Sequence, residues 1–263
     1  MSALDRLHAA LAPHDGLTIA ISGGIDSMVL AHVAHAVLPG ARMAHAVSPA
    51  VPPAATERVR AHAARDGWRL DLVDAGEFGD PRYRENPANR CYFCKLNLYS
   101  TVAALADSPV ASGTNADDLG DFRPGLQAAE EHRVIHPYVD AGLGKAEIYA
   151  LARELDLADL AELPAQPCLA SRVETGIRIA AEDLDFVDRV EGAMHARLGT
   201  GAVLRCRITH AGVIVELDES ALDSPPGRDA VAEAQSLART AARPFLGARA
   251  YRRGAAFLRG AAQ

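Results

Sequence analysis

An α/β fold built on a parallel sheet, with a smaller α+β unit after it, is what this sequence predicts. Three observations carry the expectation. Short apolar runs alternate with helical ones through the first two-thirds of the chain, as strands covered by helices on both faces require. The string Ser22-Gly23-Gly24-Ile25-Asp26-Ser27 stands where an apolar run gives way to a helical one. Near Arg178 the alternation stops, and two strand-like runs follow a long amphipathic segment.

Taken in order, strands are predicted over Thr18–Ile21, Met43–Val47, Arg69–Val73, Val110–Ser112 and Val134–His136. Helices are predicted over Asp26–Val37, Ala54–Asp66, Lys95–Ala106 and Lys145–Leu155. Beyond Arg178, Glu182–Leu198 reads as an amphipathic helix. Val203–Ile208 and Val213–Leu217 read as strands joined by the turn His210-Ala211-Gly212, and Ala230–Ala242 reads as a further helix. These readings divide the chain into a first domain of residues 1–178 and a second of 179–263.

The chain has 263 residues and is 49% hydrophobic, enough for a substantial core. It shows no apolar run of the roughly 18 residues a membrane span needs, so no membrane partner is expected. Met1–His14 lacks the order of a secretory signal, which points to the cytoplasm. Net charge is −7, which argues against a broad nucleic-acid footprint. Four cysteines in a cytoplasmic chain point to metal, redox or nucleophilic roles ahead of disulfides.

Ser22–Ser27 carries the first chemistry. Two glycines let the backbone turn tightly and aim successive N–H groups at an anion, and the helix N-terminus adds its positive end. Ser22 and Ser27 can add hydroxyl donors, and Asp26 an acid; the Walker lysine is missing. In such sheets ligands bind beyond the carboxyl ends of the strands. The residues that fall there are Ser22, Gly23, Gly24, Asp26 and Ser27 after the first strand, Ser48 after the second, and Gly113, Asn115, Asp117 and Asp118 after the fourth. The aspartates, with Asp121, are hard oxygen donors suited to Mg²⁺ on a polyphosphate. An ordinary Asx turn is the plain alternative. Arg123 can hold a phosphate or a carboxylate, or simply fix its loop.

Cys91 and Cys94 form a CxxC, open by itself to zinc, iron–sulfur, redox or structural use. Cys168, in a proline-flanked loop near Arg172, is the natural third member, since a nearby cation favours thiolate. Cys206 lies in a predicted strand and reads as core. The histidines say little: His32 and His35 share a helix face, and His45 and His136 fall in predicted strands.

These motifs resemble the PP-loop ATP pyrophosphatase superfamily, whose Ser-Gly-Gly-x-Asp-Ser loop matches Ser22–Ser27. The chain is more closely similar to the ATP-dependent sacrificial sulfur transferases (LarE-type) of nickel-pincer nucleotide synthesis. The matching runs are Asn86–Lys95, Gly113–Asp118 with Asp121–Gly125, and Pro167–Arg172. The resemblance implies a PP-loop (adenine nucleotide α-hydrolase-like) domain, ATP and Mg²⁺ as co-substrate and ion, and a pyridinium dicarboxylate mononucleotide as small-molecule substrate. ATP adenylates a ring carboxylate, pyrophosphate leaves, and sulfur replaces the adenylate. Family members without the CxxC sacrifice the cysteine equivalent to Cys168; members with three cysteines hold a [4Fe–4S] cluster. Cys91, Cys94 and Cys168 place this chain with the latter, with Cys168, Arg172 and Lys95 as catalytic candidates. The resemblance also implies a hexamer and suggests phosphate or metal contacts for Arg205, Arg207 and Glu216. The acidic stretch that family members carry before a Gly-Tyr-Arg is missing from Gly247–Gly254. Rival readings are a tRNA thiolase, an ammonia-using ligase of the same superfamily and a non-catalytic nucleotide-binding regulator.

Overall fold

Four parallel strands form the first sheet: β1 (Thr18–Ile21), β2 (Arg42–Ala46), β3 (Leu70–Val73) and β4 (Val110–Ser112), in the order β3-β2-β1-β4. The computed structural model describes residues 1–120 and 123–252. Its helices are, in chain order, α1 (Ala3–Leu11), α2 (Ile25–Val37), α3 (Pro53–Asp66), α4 (Pro81–Arg84), α5 (Arg90–Leu105), α6 (Pro124–Glu131), α7 (Pro137–Asp140), α8 (Lys145–Glu154), α9 (Ala158–Ala161), α10 (Ala181–Leu198), α11 (Glu219–Leu222) and α12 (Pro225–Thr240). The fold is α/β: a parallel-sheet PP-loop domain with a smaller α+β domain after it.

The pleat of the first sheet explains its layers. Ile19, Ile21 and Met43 point to one face and pack with α1, α2, α3 and α8. Ala20 and Ala44 point to the other and meet Tyr99 and Val102 of α5 and Ala128 and Ala129 of α6. α2 is apolar almost all round because it is enclosed on nearly every side, with Met28, Val29, Leu30 and Ala31 fully buried. α1 starts on a capping box in which Ser2 and Asp5 satisfy each other's backbone N–H groups.

The second sheet is mixed. β5 (Leu204–Thr209) runs antiparallel to β6 (Gly212–Leu217), and β6 runs parallel to β7 (Phe245–Ala250). α10 and α12 cover it. α12 offers Ala230, Ala234 and Ala238 at helical spacing, and these small residues let it pack closely.

The chain divides into two units, Met1–Tyr83 with Asn89–Ala165, and Arg84–Ala88 with the chain from Gln166 onward. The sequence-based boundary at 178 assigns 166–178 to the first domain, whereas the structure groups them with the second. Asn86 shows why: its amide Nδ2 donates to the carbonyls of Val173 (3.3 Å), Glu174 (2.9 Å) and Ile177 (3.0 Å), and its own carbonyl accepts from Gly176. Asn86 has φ +54, a conformation that asparagine tolerates better than most residues.

Two further expectations need correction. The strand predicted at Val134–His136 is a single bridge, Ile135 opposite Ala111, because Pro137 lacks an N–H and opens α7 at once. The helix predicted from Lys95 begins at Arg90, so Cys91 and Cys94 lie inside its first turns.

Candidate active site

The sheet order places β2 and β3 on one side of β1 and β4 on the other. The chain therefore reverses direction between β1 and β4, the crevice where open α/β sheets bind ligands. Ser22–Ser27 lies at that point, leading from β1 into α2.

The loop is held from several sides. Gly23 has φ +81, and a Cβ there would stand 2.7 Å from the Ala55 carbonyl oxygen, so only glycine lets the turn lie flush on α3. Ser27 Oγ accepts the Ser22 N–H (3.0 Å) and donates to the Gly24 carbonyl (3.0 Å). Gly24 caps α2 with no side-chain bond, which leaves the first-turn N–H groups of α2 pointing outward. Arg58 Nη1 donates to the Gly23 carbonyl (2.8 Å). Beneath the loop, buried His45 donates through Nδ1 to the Ile21 carbonyl (2.9 Å), so its Nε2 accepts the Thr56 hydroxyl (2.9 Å). Burial pushes the pKa of His45 down, keeping it neutral.

Asp26 is where separate segments meet. Lys145 Nζ, from the first residue of α8, reaches its Oδ2 at 2.6 Å. Asn115 Nδ2 lies 3.4 Å from Oδ1, and the buried Tyr138 hydroxyl donates to the Asp26 carbonyl (2.9 Å). Gly113 brings the β4 loop into contact: a Cβ on it would come within 2.7 Å of the Ser27 nitrogen.

The rest of the β4 loop is knitted to itself. Asp117 N–H donates to Asn115 Oδ1 (3.0 Å), and Asn115 N–H to Asp118 Oδ2 (3.1 Å). Arg123 closes on Asp118 at 2.6 Å. Asp117 is exposed, yet its Oδ2 already accepts the Lys145 N–H (2.8 Å) and so caps α8. Asp121 lies outside the described residues, as do Arg253 and Gly254. Ser48 begins the turn after β2, its Oγ accepting the Ala50 N–H (3.2 Å).

Cys91 and Cys94 are half-buried on α5, one turn apart and therefore on one helix face. Lys95 follows them, its Nζ 5.6 Å over the Tyr99 ring and its stem against Gly125. These residues belong to the first unit and Cys168 to the second. None of the four cysteines forms a disulfide. Cys206 is core, as expected: fully buried, its thiol pKa pushed far up by desolvation.

Cys168 is exposed and leads into a short 3-10 turn, Leu169–Arg172. Arg172, one of the catalytic candidates, is 4% exposed with every donor nitrogen engaged. Nε and Nη2 grip Glu191 (3.0 and 2.9 Å), and Nη1 donates to the carbonyls of Pro167 (2.5 Å) and Cys168 (3.2 Å) and to Ser171 Oγ (3.0 Å). Its guanidinium is the clamp of the Cys168 loop. Arg207 donates to the Ser171 carbonyl (2.9 Å) and to Glu216 Oε2 (2.8 Å), and Arg249 takes Glu216 Oε1 (2.7 Å). Arg205 stacks on Tyr251. This strand face is salt-bridged, and Glu216 within it is buried.

Lys145, Arg58 and Tyr138 escaped the sequence reading, while His45 was read only as a residue of a predicted strand. Lys145 alone left a signal there, as the basic first residue of a predicted helix, but nothing local tied it to Asp26.

No family model matches the chain. The uncharacterized protein slr1717 of Synechocystis is 40% identical to it over 195 residues, 72% of each chain. The chain belongs to the family of that protein. The uncharacterized protein MJ0830 of Methanocaldococcus jannaschii is 34% identical over 111 residues, covering 41% of this chain and 43% of its own. A more distant relative is the pyridinium-3,5-bisthiocarboxylic acid mononucleotide synthase of Lactiplantibacillus plantarum, 26% identical over 220 residues, 81% and 79% of the two chains. Among the described residues no helix is long and apolar enough to cross a membrane.

Proposed function

We propose that this chain is an ATP-dependent sulfur transferase that converts a carboxylate of a pyridinium-3,5-dicarboxylate mononucleotide into a thiocarboxylate, in the synthesis of a nickel-pincer nucleotide. The observation that carries the reading is the meeting of Asn115 and Lys145 on Asp26 of the Ser22–Ser27 loop, at the reversal point of the sheet. The distant relationship to the bisthiocarboxylic acid mononucleotide synthase supports the substrate.

A carboxylate is a poor acyl donor because its oxygen is a bad leaving group. Its attack on the α-phosphorus of ATP forms an acyl adenylate and expels pyrophosphate. The outward N–H groups of α2, with Ser22, receive the β- and γ-phosphates. Lys145 exchanges Asp26 for phosphate oxygen as the nucleotide enters. Asp26 and the exposed Asp117 offer the oxygen ligands that suit Mg²⁺. Ser48, Gly113 and the Asn115–Asp118 turn border the rest of the nucleotide.

Sulfur then attacks the acyl carbon and AMP departs. By the resemblance, Cys91, Cys94 and Cys168 would be the thiolates that hold a [4Fe–4S] cluster, and such a cluster would supply the sulfide. The other source is Cys168 itself. Its thiolate forms a thioester, the Cα proton leaves, and the Cβ–S bond breaks to give thiocarboxylate and dehydroalanine. Arg172 holds the Cys168 loop in position in either case. The cations on the second sheet, Arg205, Arg207 and Arg249, suit the substrate phosphate.

The test is the full chain purified without oxygen and given ATP, Mg²⁺ and the dicarboxylate mononucleotide. Pyrophosphate release and thiocarboxylate formation are expected. Release with tRNA and none with the mononucleotide overturns the reading. About four irons per chain identifies the cluster; loss of the mass of H₂S from each chain after turnover identifies the sacrificial route.

A further inference from the structure

Arg58 of α3 reaches across to the Ser22–Ser27 loop, and the bond it makes there also sets the direction of a neighbouring group. Its Nη1 donates to the Gly23 carbonyl at 2.8 Å. No peptide bond among the described residues is cis. In the planar unit joining Gly23 to Gly24 the carbonyl and the N–H therefore point opposite ways. Holding the Gly23 oxygen toward α3 turns the Gly24 N–H away from α3. Burial follows the same division: Gly23 is buried against Ala55, Gly24 is half-buried and Ser22 is exposed. The Gly24 N–H meets Ser22 Oγ at 3.4 Å. That is longer than the usual span of about 2.7–3.2 Å, so a phosphate oxygen can displace the hydroxyl.

Two glycines in a row leave this orientation easy to lose. A flip of the peptide turns ψ of Gly23 and φ of Gly24 through about half a circle and leaves the rest of the loop in place. Gly24 stands at φ −83, ψ 158. The flip carries it to positive φ at the same ψ, a region open essentially to glycine alone. A flipped peptide shows its carbonyl oxygen to the crevice and repels an anion. A hydrogen bond from a charged donor biases such an equilibrium about 10–100-fold. Arg58 is such a donor, a half-buried cation whose pKa desolvation pulls down. The charge of Asp159 on α9 offsets part of that cost, and Asp159 Oδ2 is itself fixed by His62 Nε2 (2.7 Å), whose Nδ1 accepts from His32 Nε2 (2.8 Å).

We propose that Arg58 is a positioning residue of the pyrophosphate site, holding the Gly23–Gly24 peptide so that the Gly24 N–H donates to the phosphates that the loop receives. The inference rests on the reading of Ser22–Ser27 as the cradle for the β- and γ-phosphates. Arg58 acts through one peptide unit, from the α3 side of the loop.

Calorimetric titration of magnesium pyrophosphate into the full chain tests it in four forms: the parent, Arg58→Met, Gly24→Ala and the double variant. Methionine is a good helix former and matches the arginine stem, so α3 keeps its shape. A Cβ at Gly24 meets only Ser22 Oγ, at 3.5 Å, and suits φ −83. Alanine there is accommodated, while the flipped form is denied. Arg58→Met alone should weaken pyrophosphate binding by up to about 100-fold, since only the fraction with the peptide correctly turned can bind. In the Gly24→Ala background the loss should largely vanish, because alanine holds the peptide without help. An arginine that contributed only charge or packing would cost the same in both backgrounds. Equal losses, or no loss from Arg58→Met, overturn the proposal. Failure of the sulfur-transfer reading looks different: binding keeps this pattern, and the mononucleotide is not turned over. A parent chain that binds no pyrophosphate overturns both.

Discussion

Arg172→Ala separates a clamp from a substrate ligand. In the structure the guanidinium and the Glu191 carboxylate form a two-pronged pair with side-chain exposures of 4% and 10%, and Glu191 Oε1 also accepts the Cys206 N–H (2.9 Å). Removing the cation leaves a buried carboxylate without its counter-charge, which costs about 3–5 kcal/mol. The Pro167 and Cys168 carbonyls lose donors too. For a domain of this size the loss corresponds to a fall in Tm of at least about 10 °C. The paired variant Arg172→Met with Glu191→Leu removes both charges at similar volume and recovers most of the stability. It leaves the deserted carbonyls and the Cys206 N–H as a residue of about 1–3 kcal/mol. Thermal and urea unfolding of the two variants measure this difference. In turnover assays the paired variant is expected to keep KM and lose kcat, because the Cys168 loop is no longer anchored. A cost under about 1 kcal/mol for Arg172→Ala, or a rise in KM alone for the paired variant, refutes the clamp.

Other expectations follow from the same geometry. Lys145→Ala should weaken pyrophosphate and ATP binding about tenfold or more, as loss of one buried-side charge contact does, measured by calorimetry, with little change in Tm. Gly113→Ala puts a Cβ 2.7 Å from the Ser27 nitrogen and should impair nucleotide binding by displacing the loop, whereas alanine at Gly79, which meets nothing within 4 Å, should not. Asp80 is held at about 2, down from its ordinary 3.8, chiefly by the Arg82 hydrogen bond. Its folded-state pKa is depressed, so its contribution is full above about 3.8 and disappears as pH falls through about 2. Asp80→Asn should therefore be less stable than the parent at neutral pH, with the gap closing over that acid window in a pH series of unfolding curves. His45 is buried neutral with a lowered pKa, so protonation opposes folding. His45→Gln should reduce the stability lost as pH falls below the ordinary imidazole range.

Much of the first unit could be read locally. Thr18–Ile21 and Val110–Ser112 are β1 and β4 to the residue, because each is a short apolar run bounded by breakers. The loop was equally legible, since a glycine pair at a strand-to-helix junction is a contiguous string. β7 was not. Phe245–Ala250 has no alternation, contains Gly247 and pairs with β6 across a register shift, so its strand character comes from its neighbour. The site residues that were missed share one cause. Lys145 stands 119 residues from Asp26, and Arg58 stands 35 from Gly23; only the sheet order makes them neighbours. His32 was paired on paper with His35 along its own helix, while its actual partner is 30 residues away on α3. Arg172 was legible as important but not in its role, because the sequence did not show that Glu191 lies opposite it.

Asn86 makes the polypeptide cross between its two units three times, not once. The acceptors for its amide are synthesised about ninety residues after it, so during translation this buried side chain waits for most of the first unit to appear before it can settle. A fragment starting at Gln166 would carry the whole second sheet and still have a hole where Arg84–Ala88 belongs, exposing three carbonyls to whatever else can donate. Anyone wishing to study that half by itself would have to splice the five-residue insert back in, for example through a circularly permuted chain.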